Sequence, residues 1–363
     1  MRYKSAFAQL GWDARLEAEF ASFAGENLSP GRVSAQHRTG YGLLATGGEY
    51  FAEVTGRLSH MSLGPADLPV VGDWVAAVLR PEEATATIID IVPRRTWFSR
   101  QAAGERTQEQ MIAANLDVVF IVTDQGHDYN PRRLERYLTL VTDGGSTAVI
   151  VLNKSDLVEE DGVRVDETET LFPGVEIMSL SALQGDGVEE IRERIPTGRT
   201  GALVGSSGVG KSTLINRLLG SDHLDTGVIR ESDGKGRHTT SRRELIPIPG
   251  GGMLIDTPGM REVQLWADEE SLVGAFPEID ALIAECRFRD CGHDTEPGCA
   301  VIAAVEAGDI PIERILSYRK QQKEIAWHVR RNDPVTREDE NKRIARLVKE
   351  VKRIKKRRPD SSM

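Results

Sequence analysis

The sequence predicts a multi-domain α/β chain that opens with a β-barrel and closes with a helical, metal-binding domain. Three observations carry this. Five short alternating runs lie between residues 32 and 98, apolar runs separated by helical patterns fill about 112 to 268, and all three cysteines fall between Cys286 and Cys299. At roughly 100–200 residues per domain, 363 residues hold two or three. The expected boundaries are a helical arm over 1–31, the barrel over 32–98, a linker over 99–111, the α/β domain over 112–268 and the cysteine-bearing helical domain over 269–363.

Composition excludes several classes. Hydrophobic residues at 39% and charged residues at 28% describe neither a disordered nor a fibrous chain. No run of about 18 apolar residues exists, so no membrane span is expected. The start, MRYKSAFAQLGWDARLEAEF, lacks the apolar core of a signal peptide, and three clustered cysteines make no disulfide framework. A cytoplasmic protein is expected.

The arm ends at Ser29-Pro30-Gly31. Strands are then expected over 32–37, 41–46, 50–58, 70–79 and 85–92, separated by Gly47-Gly48, Gly64-Pro65 and Arg80-Pro81. Without helical periodicity between them, five such strands argue for a small barrel. From 112 onward, the apolar runs 116–123, 148–152, 175–180, 201–204 and 253–255 have the texture of a parallel sheet with helices on both faces.

The sharpest chemistry lies at Gly205-Ser206-Ser207-Gly208-Val209-Gly210-Lys211-Ser212-Thr213, which fits GxxxxGK[ST] between an expected strand and the helical run 214–219. Glycines let the backbone wrap phosphate oxygens, and the amides and helix N-terminus turn positive charge toward them. Lys211 would reach the β- and γ-phosphates and Ser212 would ligate Mg²⁺. Asn153-Lys154-Ser155-Asp156 follows a strand and matches NKxD, and its Asp156 carboxylate accepts from guanine N1–H and the exocyclic amine. Adenine offers no such donor pair, so GTP is the expected nucleotide. Asn153 would contact the base edge and Lys154 would pack along the ring. Ser181-Ala182-Leu183 stands where a SAK-type loop covers the base, and Asp256-Thr257-Pro258-Gly259 matches DxxG, with Asp256 on Mg²⁺ through water and Gly259 sensing the γ-phosphate. Thr239 and Thr240 are both candidate switch threonines, Thr240 the favoured one.

The order of these motifs is informative. Ras-like domains run from phosphate loop through switch threonine and DxxG to NKxD and SAK, whereas here NKxD and SAL precede the phosphate loop. Proximity in space makes a site, so joining old termini and cutting elsewhere preserves it. The reading is a circularly permuted P-loop GTPase domain. Met260 follows DTPG where Ras-like enzymes carry the water-orienting glutamine, which predicts slow intrinsic hydrolysis. His238 is a candidate to orient that water, or else a solvent- or RNA-facing histidine.

Cys286, Cys291, His293 and Cys299 form the ligand set of a closed, structural, tetrahedral Zn²⁺ site, to which no catalysis is assigned. From Asn341 to Arg358, ten Lys/Arg stand against Glu350 alone, so an acidic body carries a tail of charge +9 within a net charge of -10. Ile344, Leu347, Val348, Val351 and Ile354 recur there at helical spacing. A polyanion such as nucleic acid is the expected partner of that tail.

With the motifs in this order, between a barrel and a Cys/His knuckle, the chain resembles the bacterial ribosome small-subunit-dependent GTPase A (RsgA) family over nearly its whole length. The run from Gln110 to Asp117 and Gly236-Arg237-His238-Thr239-Thr240 belong to the likeness. The resemblance implies an N-terminal OB-fold, a permuted GTPase domain and a C-terminal helical zinc-binding domain. It also implies a GTP hydrolase that binds the maturing small (30S) ribosomal subunit and its rRNA, is stimulated by it and aids late assembly. Leu183 departs from the usual lysine of SAK, which slightly weakens the assignment of base stacking there. A monomer is the default expectation. Two rivals differ in class: a metabolic P-loop kinase, which has no use for NKSD, and a guanine-nucleotide-dependent RNA-binding scaffold with little turnover.

Overall fold

The computed structural model describes residues 3, 7–23, 27–62, 64–101, 109–126, 128–158, 163–220, 243–256, 275–288, 291–293 and 296–332. The arm is a 3₁₀ turn (Ala8–Leu10) and helix α1 (Ala14–Phe20), whose N-cap Asp13 accepts from the Arg15 and Leu16 amides. Its apolar side chains enter an aromatic cluster in which Trp12 meets Trp74 edge-on at 4.8 Å between centroids. The arm is therefore docked on the domain that follows.

That domain comprises β1 (Ser29–Gln36), β2 (Tyr41–Ala45), β3 (Gly48–Val54), α2 (Gly56–Met61), β4 (Trp74–Arg80) and β5 (Thr85–Ile91). The pairings β1–β2, β2–β3, β4–β5 and β1–β4 are antiparallel, and a parallel β3–β5 pair closes the ring. This is the OB-fold ring of five strands. Val33, Leu43, Ala52, Val75, Ala77 and Ile88 fill it. Helix α2 departs from the expectation of unbroken β structure: the run at 50–58 ends at Val54, and Thr55 caps a helix by accepting from Leu58 N at 3.2 Å.

The expected linker over 99–111 is largely a hairpin. Strands β6 (Trp97–Gln101) and β7 (Glu109–Ala114) pair antiparallel, and Phe98, Ile112 and Ala113 join the next core. There follow β8 (Val118–Asp124), α3 (Pro131–Asp143), β9 (Thr147–Asn153), α4 (Val163–Leu171), β10 (Glu176–Ser179), α5 (Val188–Arg194), β11 (Thr200–Val204), α6 (Lys211–Leu219), β12 (Glu244–Pro247) and β13 (Met253–Asp256). The sheet order is β10-β9-β8-β11-β13-β12, parallel except for β12. Strand β12 was not anticipated. It also touches β1 at the Ala35–Glu244 register, so the barrel and this sheet are continuous.

Alternation along β8 feeds two cores. Val119 and Ile121 pack with Leu134 and Leu138 of α3, while Phe120 and Val122 pack with Ile191 of α5 and Leu214 of α6. Helices therefore cover both faces.

The C-terminal part holds α7 (Pro277–Ile283), α8 (Ala300–Ala307) and α9 (Ile312–Asn332). The expected basic helix beyond Asn341 lies outside the described residues. Helix α9 meets α3 through a buried pair, Arg314 Nη1 to Glu135 Oε1 at 3.1 Å, with side chains 2% and 5% exposed. Ser317 also donates to Glu135, and Arg314 further binds Glu278 and the Ala275 carbonyl. Removing one partner leaves an uncompensated buried charge. An Arg314→Met chain is therefore expected to lose about 3 kcal/mol in urea denaturation, and Glu135→Leu added to it should recover most of that loss.

No helix among the described residues is long and apolar enough to cross a membrane.

Candidate functional site

The site gathers at the carboxyl ends of β8, β9, β10, β11 and β13, where ligands bind in open α/β sheets. Strand β11 runs into Gly205, and the loop closes at Gly210 on the N-terminus of α6. Two of its glycines are required by the fold. A Cβ on Gly205 (φ +142) would lie 2.1 Å from Val122 O, and one on Gly210 (φ +98) 2.2 Å from Asn153 Nδ2. Lys211 Nζ donates to Gly205 O at 2.8 Å and to Ser206 O, so the ammonium is folded over the loop. Ser207, Gly208 and Ser212 are exposed, Val209 is buried, and Thr213 is half-buried in the first turn of α6.

The NKxD and SAL segments adjoin this loop. Asn153 is 2% exposed; its Nδ2 donates to Val209 O at 2.7 Å, and its Oδ1 accepts from Ala182 N at 2.9 Å. The side chain thus braces the phosphate loop against the SAL turn, a role the sequence reading did not include. Asp156 accepts from Ser181 Oγ, which itself accepts from Gln184 N at 3.2 Å. Arg217 on α6 binds the carbonyls of Ala182 and Leu183, a second tie to the same turn. Leu183 stays exposed at the rim.

Lys154, at φ 64, extends Nζ to Asp124 Oδ2 at 3.2 Å. Burial pushes the Asp124 carboxyl up, but the Asp128 amide, the Lys154 ammonium and the Gly126 amide outweigh it, so its pKa ends below the usual carboxylate range. Asp128, in the same turn, accepts from Ser206 Oγ and pairs with Arg133 at 2.7 Å. Sequence reasoning missed Asp124, Asp128 and Arg217, none of which belongs to a motif. The one available signal was position, since Asp124 ends a parallel strand.

Asp256 ends β13, the neighbour of β11. His238, Thr239, Thr240, Gly259 and Met260 lie outside the described residues.

The cysteine cluster assembles as expected. Cys286 Sγ and Cys299 Sγ each lie 3.6 Å from His293 Nδ1 and 3.9 Å from one another, and the four ligand atoms, Cys291 included, lie within 4.8 Å. A tetrahedron with Zn–S near 2.3 Å and Zn–N near 2.0–2.1 Å sets S···S at about 3.8 Å and S···N at about 3.6 Å. The donor set and spacing therefore fit Zn²⁺. Cys299 also caps α8, its Sγ accepting from Ile302 N, and His293 adopts φ 56 to turn its ring inward.

The RsgA GTPase family model matches residues 91–266. The chain is 47% identical over 349 residues to the Small ribosomal subunit biogenesis GTPase RsgA of Opitutus terrae, covering 94% of this chain and 95% of that protein. It is 44% identical to the protein of that name from Syntrophotalea carbinolica, covering 88% and 89%. Among solved structures, YjeQ from Thermotoga maritima superposes with a TM-score of 0.63 at 27% identity, over 82% of this chain and 99% of that one. YloQ, a circularly permuted GTPase, shares the fold with a TM-score of 0.59 at 23% identity, over 84% and 98%. With its base motifs threaded ahead of the phosphate loop and its OB ring and Cys₃His knuckle in place, the chain belongs to the RsgA GTPase family and is a circularly permuted GTP hydrolase.

Proposed function

We propose that this GTPase binds the small (30S) ribosomal subunit through its rRNA and hydrolyses GTP to GDP and phosphate during late maturation of that subunit. Hydrolysis is stimulated by the subunit and coupled to release. The observation that carries this reading is identity of 42–47% to small-subunit biogenesis GTPases, over most of a chain that joins a guanine-type site to an OB ring. The OB ring and the basic segment 341–358 add surfaces for nucleic acid and salt-sensitive phosphate contacts. The protein acts in the cytoplasm as a monomer.

At the site, the amides from Gly205 to Thr213 and Lys211 hold the phosphates, while Asn153, Lys154, Asp156, Ser181 and Ala182 hold the base. Ser212, Asp256 and Thr240 or Thr239 would hold Mg²⁺, which when bound neutralises the charge developing between the β- and γ-phosphates. Gly259 reads the γ-phosphate and His238 orients water in place of the glutamine that Met260 replaces. Cys286, Cys291, His293 and Cys299 hold one structural Zn²⁺. The GTP state favours subunit binding, and hydrolysis reverses that preference.

The test is GTP turnover alone, with small subunits and with large subunits. Strong stimulation by small subunits only is expected. Equal stimulation by both particles, or equal subunit affinity in the GTP-analogue and GDP states, would overturn the proposal.

A further inference from the structure

We propose that Asp128 is a positioning residue for nucleotide phosphates, acting through Ser206 on the opening of the phosphate loop. The loop begins where β11 leaves the sheet, and its first side chain, Ser206, spends its hydroxyl on Asp128 rather than on solvent. Asp128 is itself fixed from three sides. Arg133, on the first turn of α3, pairs with the same carboxylate at 2.7 Å; Asp128 N donates to Asp124 Oδ1 at 2.9 Å; and Thr123 Oγ1 donates to Asp128 O at 3.3 Å. Asp124 in turn holds Lys154 Nζ.

The end of β8 and the turn after it therefore carry two carboxylates, Asp124 and Asp128. One grips the lysine of the base motif and the other grips the serine of the phosphate loop. Asn153 makes a second, independent tie between these subsites through Val209 O. A phosphate loop binds by aiming several backbone amides at once, so its affinity depends on holding them in place before the ligand arrives. Arg133 keeps the Asp128 carboxylate paired, so the loop gains a fixed acceptor without an unbalanced negative charge facing the phosphates.

This inference rests on Gly205–Thr213 being the nucleotide's phosphate site, and its test separates the two. In the full chain, Asp128→Ala and Ser206→Ala are each expected to raise the Kd for GTP and for GDP about tenfold, the loss of one charge-assisted hydrogen bond. Because both remove the same bond, the double variant should bind no more weakly than either single one. Asp128→Asn, which keeps an acceptor oxygen, should stay within about threefold of the unaltered chain. The preference for GTP over ITP should not move, since the base motif is untouched, and the thermal midpoint without nucleotide should hold for Ser206→Ala. Unchanged GTP affinity in Ser206→Ala, or effects that add in the double variant, would overturn the role of Asp128. A Lys211→Ala chain that binds GTP like the unaltered one would instead overturn the phosphate-site assignment.

Discussion

An Asp156→Asn chain is expected to lose GTP affinity by about 100- to 10,000-fold and to prefer XTP, because one substitution reverses the hydrogen-bonding sense of the base pocket. Guanine presents two donors, N1–H and the exocyclic amine, to a carboxylate that only accepts. The structure fixes which end of the side chain changes. Ser181 Oγ already donates to Asp156 Oδ1, and the turn carrying Ser181 is braced by Gly185 N to Ser181 O at 2.7 Å and by the Ser181–Asp186 bridge. An asparagine keeps its oxygen toward Ser181 and places its amino group where Oδ2 stood. The exocyclic amine of guanine then faces a donor while N1–H still finds the remaining oxygen, and a buried mismatch of this kind discriminates far more strongly than a change in apolar contact. Xanthine offers a carbonyl in place of the amine and restores the pairing. Competition of GTP and XTP for the bound state reads the inversion, and a variant that still prefers GTP would show that Asp156 does not read the base.

What the sequence disclosed depended on how local the cause was. The phosphate loop was legible because wrapping phosphate demands Gly205, Gly210, Lys211 and Ser212 at fixed spacing, and the knuckle because tetrahedral ligation demands soft donors close together. The permutation was legible for the same reason: order is visible even where geometry is not. Strand β12 was hidden, since four residues between Arg243 and Ile248 acquire their structure from β13 and from Ala35 far away in the chain. Helix α2 was missed although Thr55 is a proper cap, because Gly56 and the β-type run before it argued against a helix. The 99–111 segment read as a linker because Arg100, Gln101 and Glu109 interrupt the apolar pattern of a hairpin whose inner residues, Phe98 and Ile112, lie on either side. Asp128 and the Glu135–Arg314 pair carry no pattern at all. The last joins residues 179 positions apart and exists only after α9 has packed on α3.

Withdrawal of the proposed Zn²⁺ should have the largest structural effect of any single change to the C-terminal part. Among the described residues, the segment from Cys286 to Cys299 contains no helix or strand, so its shape would rest on ligation of the proposed Zn²⁺ and on a few turn hydrogen bonds such as Arg287 N to Gly298 O at 3.1 Å. The same ligands connect it to regular structure: Cys299 caps α8, and Val301 and Ala304 of α8 share a core with Phe276, Ile279, Ile315 and Tyr318. Structural Zn²⁺ supplies on the order of 10 kcal/mol of binding free energy that such a segment converts into folding. Chelation, or Cys299→Ser, which removes both a soft ligand and the Sγ that accepts from Ile302 N, is therefore expected to open the knuckle and loosen α8. One face of the parallel sheet shares its core with α7, α8 and α9, but the face under α5 and α6, where Val209 and Leu214 back the phosphate loop, has a core of its own, so GTP binding should survive. One equivalent of zinc per unaltered chain, its loss in Cys299→Ser, and a new low-temperature unfolding step with GTP affinity retained are the expected readings. A chain that keeps its unfolding profile without zinc would show that packing of α7, α8 and α9 holds this region, and that the four ligands cluster without a structural metal.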